Sequence, residues 1–261
     1  MKDFTKITSR ENSLIKLVCS LQTSAKSRKE YGLFVIEGLR ILKDALDNSI
    51  RFDKLIISDT AMEKYPKDIA DFAENSGDCY ILPDSLFKKI SDTTTPQGMI
   101  ALSKIPQSCG YDIDKKGRYI ALENIADPSN LGAVSRTCEA LGVTGIILST
   151  GGCDPYSPKS IRASMGTLLR MPIIILDDFA TSIRKTGLKS YACVVDNSAD
   201  KIGSVDFEDG CVVIIGNEAN GITENTQNSA DMRITIPMSG RAESLNAAVA
   251  AAIAVWEMMK K

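Results

Sequence analysis

Apolar positions recur along the chain with two periods, one helical and one strand-like, and their alternation sets the expected architecture. In SRENSLIKLVCSLQ (9–22) the residues Leu14, Ile15, Leu17, Val18 and Leu21 fall at helical spacing behind a Ser9 or Asn12 cap, which predicts a first helix. YGLFVIEG (31–38) reads as a strand, GLRILKDALDN (38–48) as a helix and FDKLIISD (52–59) as a second strand. A polar helix near 66–76 and short strands around CYIL and GMIAL complete an alternating α/β segment of about 100 residues.

The stretch SKIPQSCGYDIDKKGR (103–118) is polar, holds Pro106, Gly110 and Gly117, and shows no apolar period, so it reads as a linker. A second α/β run follows at once. RYIALEN, GIILST, PIIIL, YACVVD, CVVIIG and MRITIP are its strands, and SNLGAVSRTCEALG, a short helix near 158–168, DFATSIRK, ENTQNSA and a last helix from Glu243 to Met259 are its helices. Several strands are unbroken Val/Ile runs, the pattern of a parallel sheet covered on both faces. The expected organisation is an N-terminal α/β domain (1–104), a linker (105–117) and a C-terminal parallel-sheet domain (118–261).

Composition narrows the chemistry. The chain of 261 residues has a net charge of −2, 44% hydrophobic and 25% charged residues, an ordinary globular balance. It contains no histidine, which removes Ser-His-Asp and Cys-His nucleophilic catalysis, histidine-ligated zinc and any imidazole proton shuttle. The seven cysteines show no C-x-x-C pair and read as reduced thiols. The longest uncharged apolar run, Leu245 to Trp256, is a little over half of the roughly 20 residues that a membrane-spanning helix needs. The N-terminal MKDFTKITSRENS has charges but no apolar stretch behind it of the kind a secretory signal uses, so a cytoplasmic protein is expected. Charge is unevenly placed: residues 1–43 carry +5 and the remainder −7, which suits a local phosphate contact or a solvated helix face.

Three turn-bearing segments follow strands of the second run: ENIADPSNLGAVSRTCEALG (123–142), GNEANGI (216–222) and IPMSGRAESLNAAVAAAI (236–253). Ligands of open parallel sheets bind at the carboxyl ends of strands, where such turns lie. No G-x-G-x-x-G with its downstream acid and no G-x-x-x-x-G-K-[ST] occurs, so neither a dinucleotide fold nor a P-loop is supported.

Taken together, in this order and spacing, the three segments resemble the motifs of the SpoU/TrmH family of RNA ribose 2′-O-methyltransferases in the SPOUT superfamily. The resemblance covers 118–261, including DPYSPKSIRASMGTLLRMPI (154–173), and extends to the N-terminal segment, which is similar to the family's ribosomal-protein-like substrate-binding domain. It implies a C-terminal domain with a trefoil knot that binds S-adenosylmethionine in a bent form. Gly216, Asn217, Gly221, Ile236, Met238 and Leu245 are the implied cofactor-binding residues. Arg136, Asn130, Glu218, Ser244 and Asn246 are the implied catalytic set, with Arg136 binding a phosphate and stabilising the 2′-oxygen. Asn130 and Arg136, six apart at a helix start, are expected near one end of the sheet. Ser244 can be an N-cap, a ligand contact or both. RNA selection falls to the N-terminal domain, with Lys26, Arg28 and Lys29 as candidate phosphate contacts. The resemblance also implies a homodimer through the C-terminal domain, with the last helix as one surface. Ribosomal RNA is the expected substrate; the same reaction on transfer RNA, and a silent RNA-binding or ribosome-assembly protein, are the alternatives.

Overall fold

The computed structural model describes residues 2–106 and 113–260; most of the expected linker, 107–112 with Cys109, lies outside the described residues. Two compact units divide the chain at Pro106, with Tyr156–Arg170 grouped in the first.

The first unit carries β1 (Thr5–Lys6), α1 (Ser13–Thr23), α2 (Ala25–Tyr31), β2 (Leu33–Glu37), α3 (Leu39–Asp47) and β3 (Phe52–Ser58). There follow α4 (Asp59–Lys64), α5 (Pro66–Glu74), β4 (Ser76–Leu82), α6 (Asp84–Ile90) and β5 (Met99–Lys104). The sheet order is β1-β4-β3-β5-β2, with β5 antiparallel to both neighbours and the other pairs parallel. Asn12 supplies the cap of α1, its side chain accepting from Leu14 N–H at 2.8 Å. The apolar stripe Leu14, Ile15, Val18 and Leu21 is buried with Val35, Ile56, Phe87 and Ile100, as its helical spacing requires. Four elements escape the sequence pattern: β1, only two residues long, α2, whose AKSRKEY has no apolar period, and the short helices α4 and α6. Tyr156–Arg170 holds α8 (Pro158–Ala163) and joins this unit through a Phe34–Tyr156 ring contact at 5.3 Å and the Arg170–Asp44 ion pair.

The second unit contains β6 (Arg118–Leu122), α7 (Pro128–Leu141), β7 (Gly145–Ser149), β8 (Ile173–Leu176), α9 (Phe179–Thr186) and β9 (Lys189–Cys193). It continues with β10 (Asp200–Lys201), β11 (Cys211–Ile215), α10 (Glu224–Ser229), β12 (Met232–Thr235) and α11 (Ala247–Met259). All of its strand pairs are parallel, in the order β10-β12-β9-β11-β6-β7-β8. Every residue of β7 and β11 is buried, which is why these strands read as unbroken apolar runs. The chain runs outward from β6 through β7 to β8, crosses to β9, and later returns β11 between β6 and β9. Such a reversal of strand order opens a crevice at the carboxyl ends of the strands. The last helix begins at Ala247, four residues later than its apolar content suggests, because Asn246 takes the cap position. Ser244 and Leu245 therefore lie in the preceding loop, and neither heads the helix.

Candidate active site at the carboxyl ends of the parallel strands

Loops following β6, β9, β11 and β12 build one site. After β6, Asn124 adopts a left-handed backbone (φ 55°) and its N–H donates to Ser149 Oγ at 2.8 Å. The chain then enters α7 through Pro128 at its first turn. Asp127 is the cap, accepting from Ser129 N–H at 2.8 Å, and the Ser129 hydroxyl together with this bond holds its carboxyl below the usual range.

The loop after β11 closes on itself. Asn217 and Gly221 exchange two backbone hydrogen bonds of 3.0 and 2.9 Å, and Asn217 Oδ1 accepts from Ala219 and Asn220 N–H. A Cβ on Gly216 would lie 2.1 Å from the Gly221 carbonyl carbon, so only glycine permits this closure. Asn217 Nδ2 also donates to the Asn124 carbonyl at 2.7 Å, joining the first motif to the second.

A polar relay links all three motifs. Asn246 accepts from Ala248 and Val249 N–H through Oδ1, which leaves its Nδ2 to donate to Asn130 Oδ1 at 3.1 Å. Asn130, buried on α7, then donates through Nδ2 to Glu218 Oε1 at 2.7 Å. Glu218 further accepts from the Ala126 and Asp127 N–H groups at 3.2 and 3.3 Å. Burial pushes the Glu218 carboxyl up, but the Asn130 amide and the backbone donors outweigh it and hold it below its ordinary value. The direction of both amides is fixed by this sequence of donors and acceptors, from helix cap to carboxylate.

Beside the relay lies a cavity of about 470 Å³, inside the roughly 300–1,000 Å³ range of small-molecule sites. Gly216, Asn217, Gly221, Ile236, Met238 and Leu245, the six residues expected to bind a cofactor, all line it, together with Glu218 and Ser244. Asn130 and Asn246 stand behind this wall in the relay. Arg136 does not line the cavity: six residues is about 1.7 helical turns, so where Asn130 turns inward Arg136 is exposed on α7, and among the described residues it makes no hydrogen bond or ion pair. In the first unit Lys26 and Lys29 are exposed on α2, but Arg28 is buried with its guanidinium on the Leu21 carbonyl at 2.5 Å. Arg28 satisfies the end of α1 and is not presented to solvent, which corrects its placement among the phosphate contacts.

Two groups of residues were not singled out by the sequence. Cys193, Val194, Val195 and Asp196, at the end of β9, line the cavity; their place after a central strand was the available signal. Glu123 is buried directly behind the four buried residues Tyr119–Leu122, and an acid closing an apolar strand was the sign of it. Near the site Cys153 and Cys193 have their thiols pushed up to about 11, chiefly by burial.

Comparison with known proteins follows the division seen in the motifs. Residues 117–256 match the SpoU rRNA Methylase family, and residues 12–101 match the MRM3-like substrate binding domain. The chain is 28% identical over 254 residues to the 23S rRNA (guanosine(2553)-2′-O)-methyltransferase RlmP of Bacillus subtilis, covering 97% of this chain and 98% of that protein. It is 25% identical over 266 residues to the 23S rRNA (uridine(2479)-2′-O)-methyltransferase of Streptomyces viridochromogenes, covering 98% and 92%. Among solved structures it is similar to the AdoMet-bound rRNA methyltransferase from Sinorhizobium meliloti, with a TM-score of 0.84, 29% identity and coverage of 98% and 97%.

Proposed function

The chain belongs to the SpoU rRNA methylase family, and from that premise we propose that it transfers the methyl group of S-adenosylmethionine to a ribose 2′-hydroxyl of ribosomal RNA. The observation that carries the reading is the meeting of three distant motifs: 216–222 and 236–246 share one cavity, and the relay from Asn246 through Asn130 to Glu218 ties the first motif to both.

The cavity suits this cofactor by its chemistry. Ile215, Ile236, Val194 and Leu245 offer apolar walls for an adenine ring, and Asn217, Ser244 and Asp196 offer polar groups for a ribose and an amino-acid tail. At Gly221, with φ 67°, nothing lies within 4 Å of where a Cβ would be, so its backbone is open to a ligand. When bound, S-adenosylmethionine supplies a methyl group on a cationic sulfur, already activated for transfer. What remains for the protein is orientation, which can supply several kcal/mol of barrier reduction.

In this reading Glu218, Asn130 and Asn246 are positioning residues, because their polar atoms are spent on one another and on backbone N–H groups. Arg136, exposed and unpartnered among the described residues, receives an RNA phosphate and the 2′-oxygen. A guanidinium keeps its proton in proteins, so Arg136 stabilises developing negative charge and does not act as a base. Ser244 lies on the cavity wall, within reach of a bound donor.

The matches over 12–101 and 117–256 support a division into an RNA substrate-binding domain (1–104) and a methyltransferase domain (118–261), the latter with a knot in this reading. Support for the trefoil knot comes from β11, which enters the sheet between strands formed earlier in the chain. Support for a homodimer comes from α11, where Val249 and Trp256, seven apart on one face, are exposed. Exposed Lys26 and Lys29 serve RNA phosphates. A ribosomal RNA substrate is consistent with a cytoplasmic location, which this reading adopts.

The test is methyl transfer from labelled S-adenosylmethionine to separated ribosomal and transfer RNA from a strain lacking the protein, with nuclease digestion to identify the product. Label in a ribose-methylated nucleoside of ribosomal RNA is expected. Label confined to transfer RNA would move the substrate; donor binding with no transfer to RNA or ribosomal particles would leave an RNA-binding protein.

A further inference from the structure

Glu123 is a buried carboxylate whose partners are all neutral. Oε2 accepts from Thr223 N–H at 2.9 Å, and Oε1 accepts from the hydroxyls of Thr223 and Thr226 at 2.8 and 2.6 Å. No cation pairs with it among the described residues. A charge buried without a counter-ion is costly, and three hydroxyl or amide donors are what make it tolerable. For folding alone, a strand end followed by a loop needs no acid at this position.

The geometry shows what the acid accomplishes. The loop Gly216–Ile222 lies between Ile215 and Thr223, and Glu123 holds both. Its backbone N–H donates to the Ile215 carbonyl at 2.9 Å, immediately before the loop, and its carboxylate grips Thr223, immediately after. The next residue reaches the loop itself, where the Asn124 carbonyl accepts from Asn217 Nδ2 at 2.7 Å. Thr223 is also the cap of α10, accepting from Thr226 N–H, so the helix start is anchored by the same contact. One residue at the end of β6 therefore clamps the entrance and the exit of a loop that lines the cavity.

We propose that Glu123 is a positioning residue for this donor-binding loop, holding the Gly216–Ile222 backbone in its ligand-ready shape before any ligand arrives. The proposal rests on the reading that the cavity receives S-adenosylmethionine. It assigns Glu123 an effect on donor affinity: a loop held ready has little order to gain on binding, whereas a released loop must be ordered by the ligand.

The experiment combines hydrogen exchange on the ligand-free protein with steady-state methyl transfer, for the full chain and its Glu123→Gln variant. Faster amide exchange confined to 216–223 is expected, with KM for S-adenosylmethionine raised about 10- to 100-fold and kcat at saturating donor within roughly threefold of the parent. Unchanged exchange in the loop, or an unchanged donor KM in an active enzyme, overturns the proposal. Faster exchange spread over the whole second unit, with kcat falling alongside, also overturns it by showing a general stabilising role. Thr226→Val, which removes one of the three donors and leaves the charge, gives the same pattern at smaller size and serves where Glu123→Gln does not fold. Failure of the parent protein to bind S-adenosylmethionine refutes the donor reading separately, since the exchange measurement judges the clamp without ligand.

Discussion

Replacing Glu218 by Gln tests the polar relay directly. Both carboxylate oxygens act as acceptors, Oε1 toward Asn130 Nδ2 and Asp127 N–H and Oε2 toward Ala126 N–H. An amide in this place turns its NH₂ toward at least one of these donors, whichever way it is rotated, so one bond becomes a repulsion and the others lose their charge assistance. Hydrogen bonds to charged groups are worth about 1.5–3 kcal/mol each. Glu218 is largely exposed, and solvent screening brings the net loss down to about 1–2 kcal/mol. The same displacement loosens the Ala126–Asn130 turn that starts α7, and turnover is expected to fall about 10- to 100-fold, equivalent to about 1.4–2.7 kcal/mol of barrier.

The pH dependence has a definite sign. The folded-state pKa of Glu218 is lowered, so its contribution to stability is present above the unfolded value of about 4.3 and is lost as pH falls through the lower folded value. The stability gap between Glu218 and Glu218→Gln proteins, measured as urea midpoints by circular dichroism, is therefore expected to be constant near neutrality and to close under acid. A variant with the parent's midpoint and turnover at pH 7 would refute the view that this relay holds the site.

Three further outcomes are expected. Arg136→Ala, made on an exposed residue with no partner among the described residues, changes stability by no more than about 0.5 kcal/mol and lowers methyl transfer at least 100-fold; an equal loss of stability and activity would mark it as structural. Trp256→Glu, at a side chain 60% exposed on α11, converts a two-chain mass by light scattering to a one-chain mass at micromolar concentration, and a parent already of one-chain mass would dismiss the dimer. Cys153 and Cys193, with thiols near 11, alkylate at pH 8 about two orders of magnitude more slowly than a free thiol, and faster as pH rises toward 11; rapid labelling at pH 8 by mass spectrometry would contradict these raised values.

The sequence alone determined whatever is governed by local period and residue chemistry. The buried strands β7 and β11 announced a parallel sheet because both of their faces are covered, and the stripe of α1 announced a packed helix because its apolar side chains recur with the helical turn. The cavity-lining residues of 216–222 and 236–245 were legible through the resemblance of the three turn-bearing segments to a family's motifs, since each turn taken alone is a weak signal. Boundaries and directions were decided in three dimensions. Whether Ser244 or Asn246 caps α11 depends on which side chain finds the free N–H groups, and Asn246 does so because its other end is held by Asn130, 116 residues earlier. Arg28, one cation among several in AKSRKEY, is buried because the carbonyls of Leu21 and Gln22 face it, a contact that no charge count contains. The clamp at Glu123 joins residues 100 apart in the chain and exists only because β11 returns to lie beside β6. Local pattern records what a residue prefers, and only the closed fold supplies the partners that decide what it does.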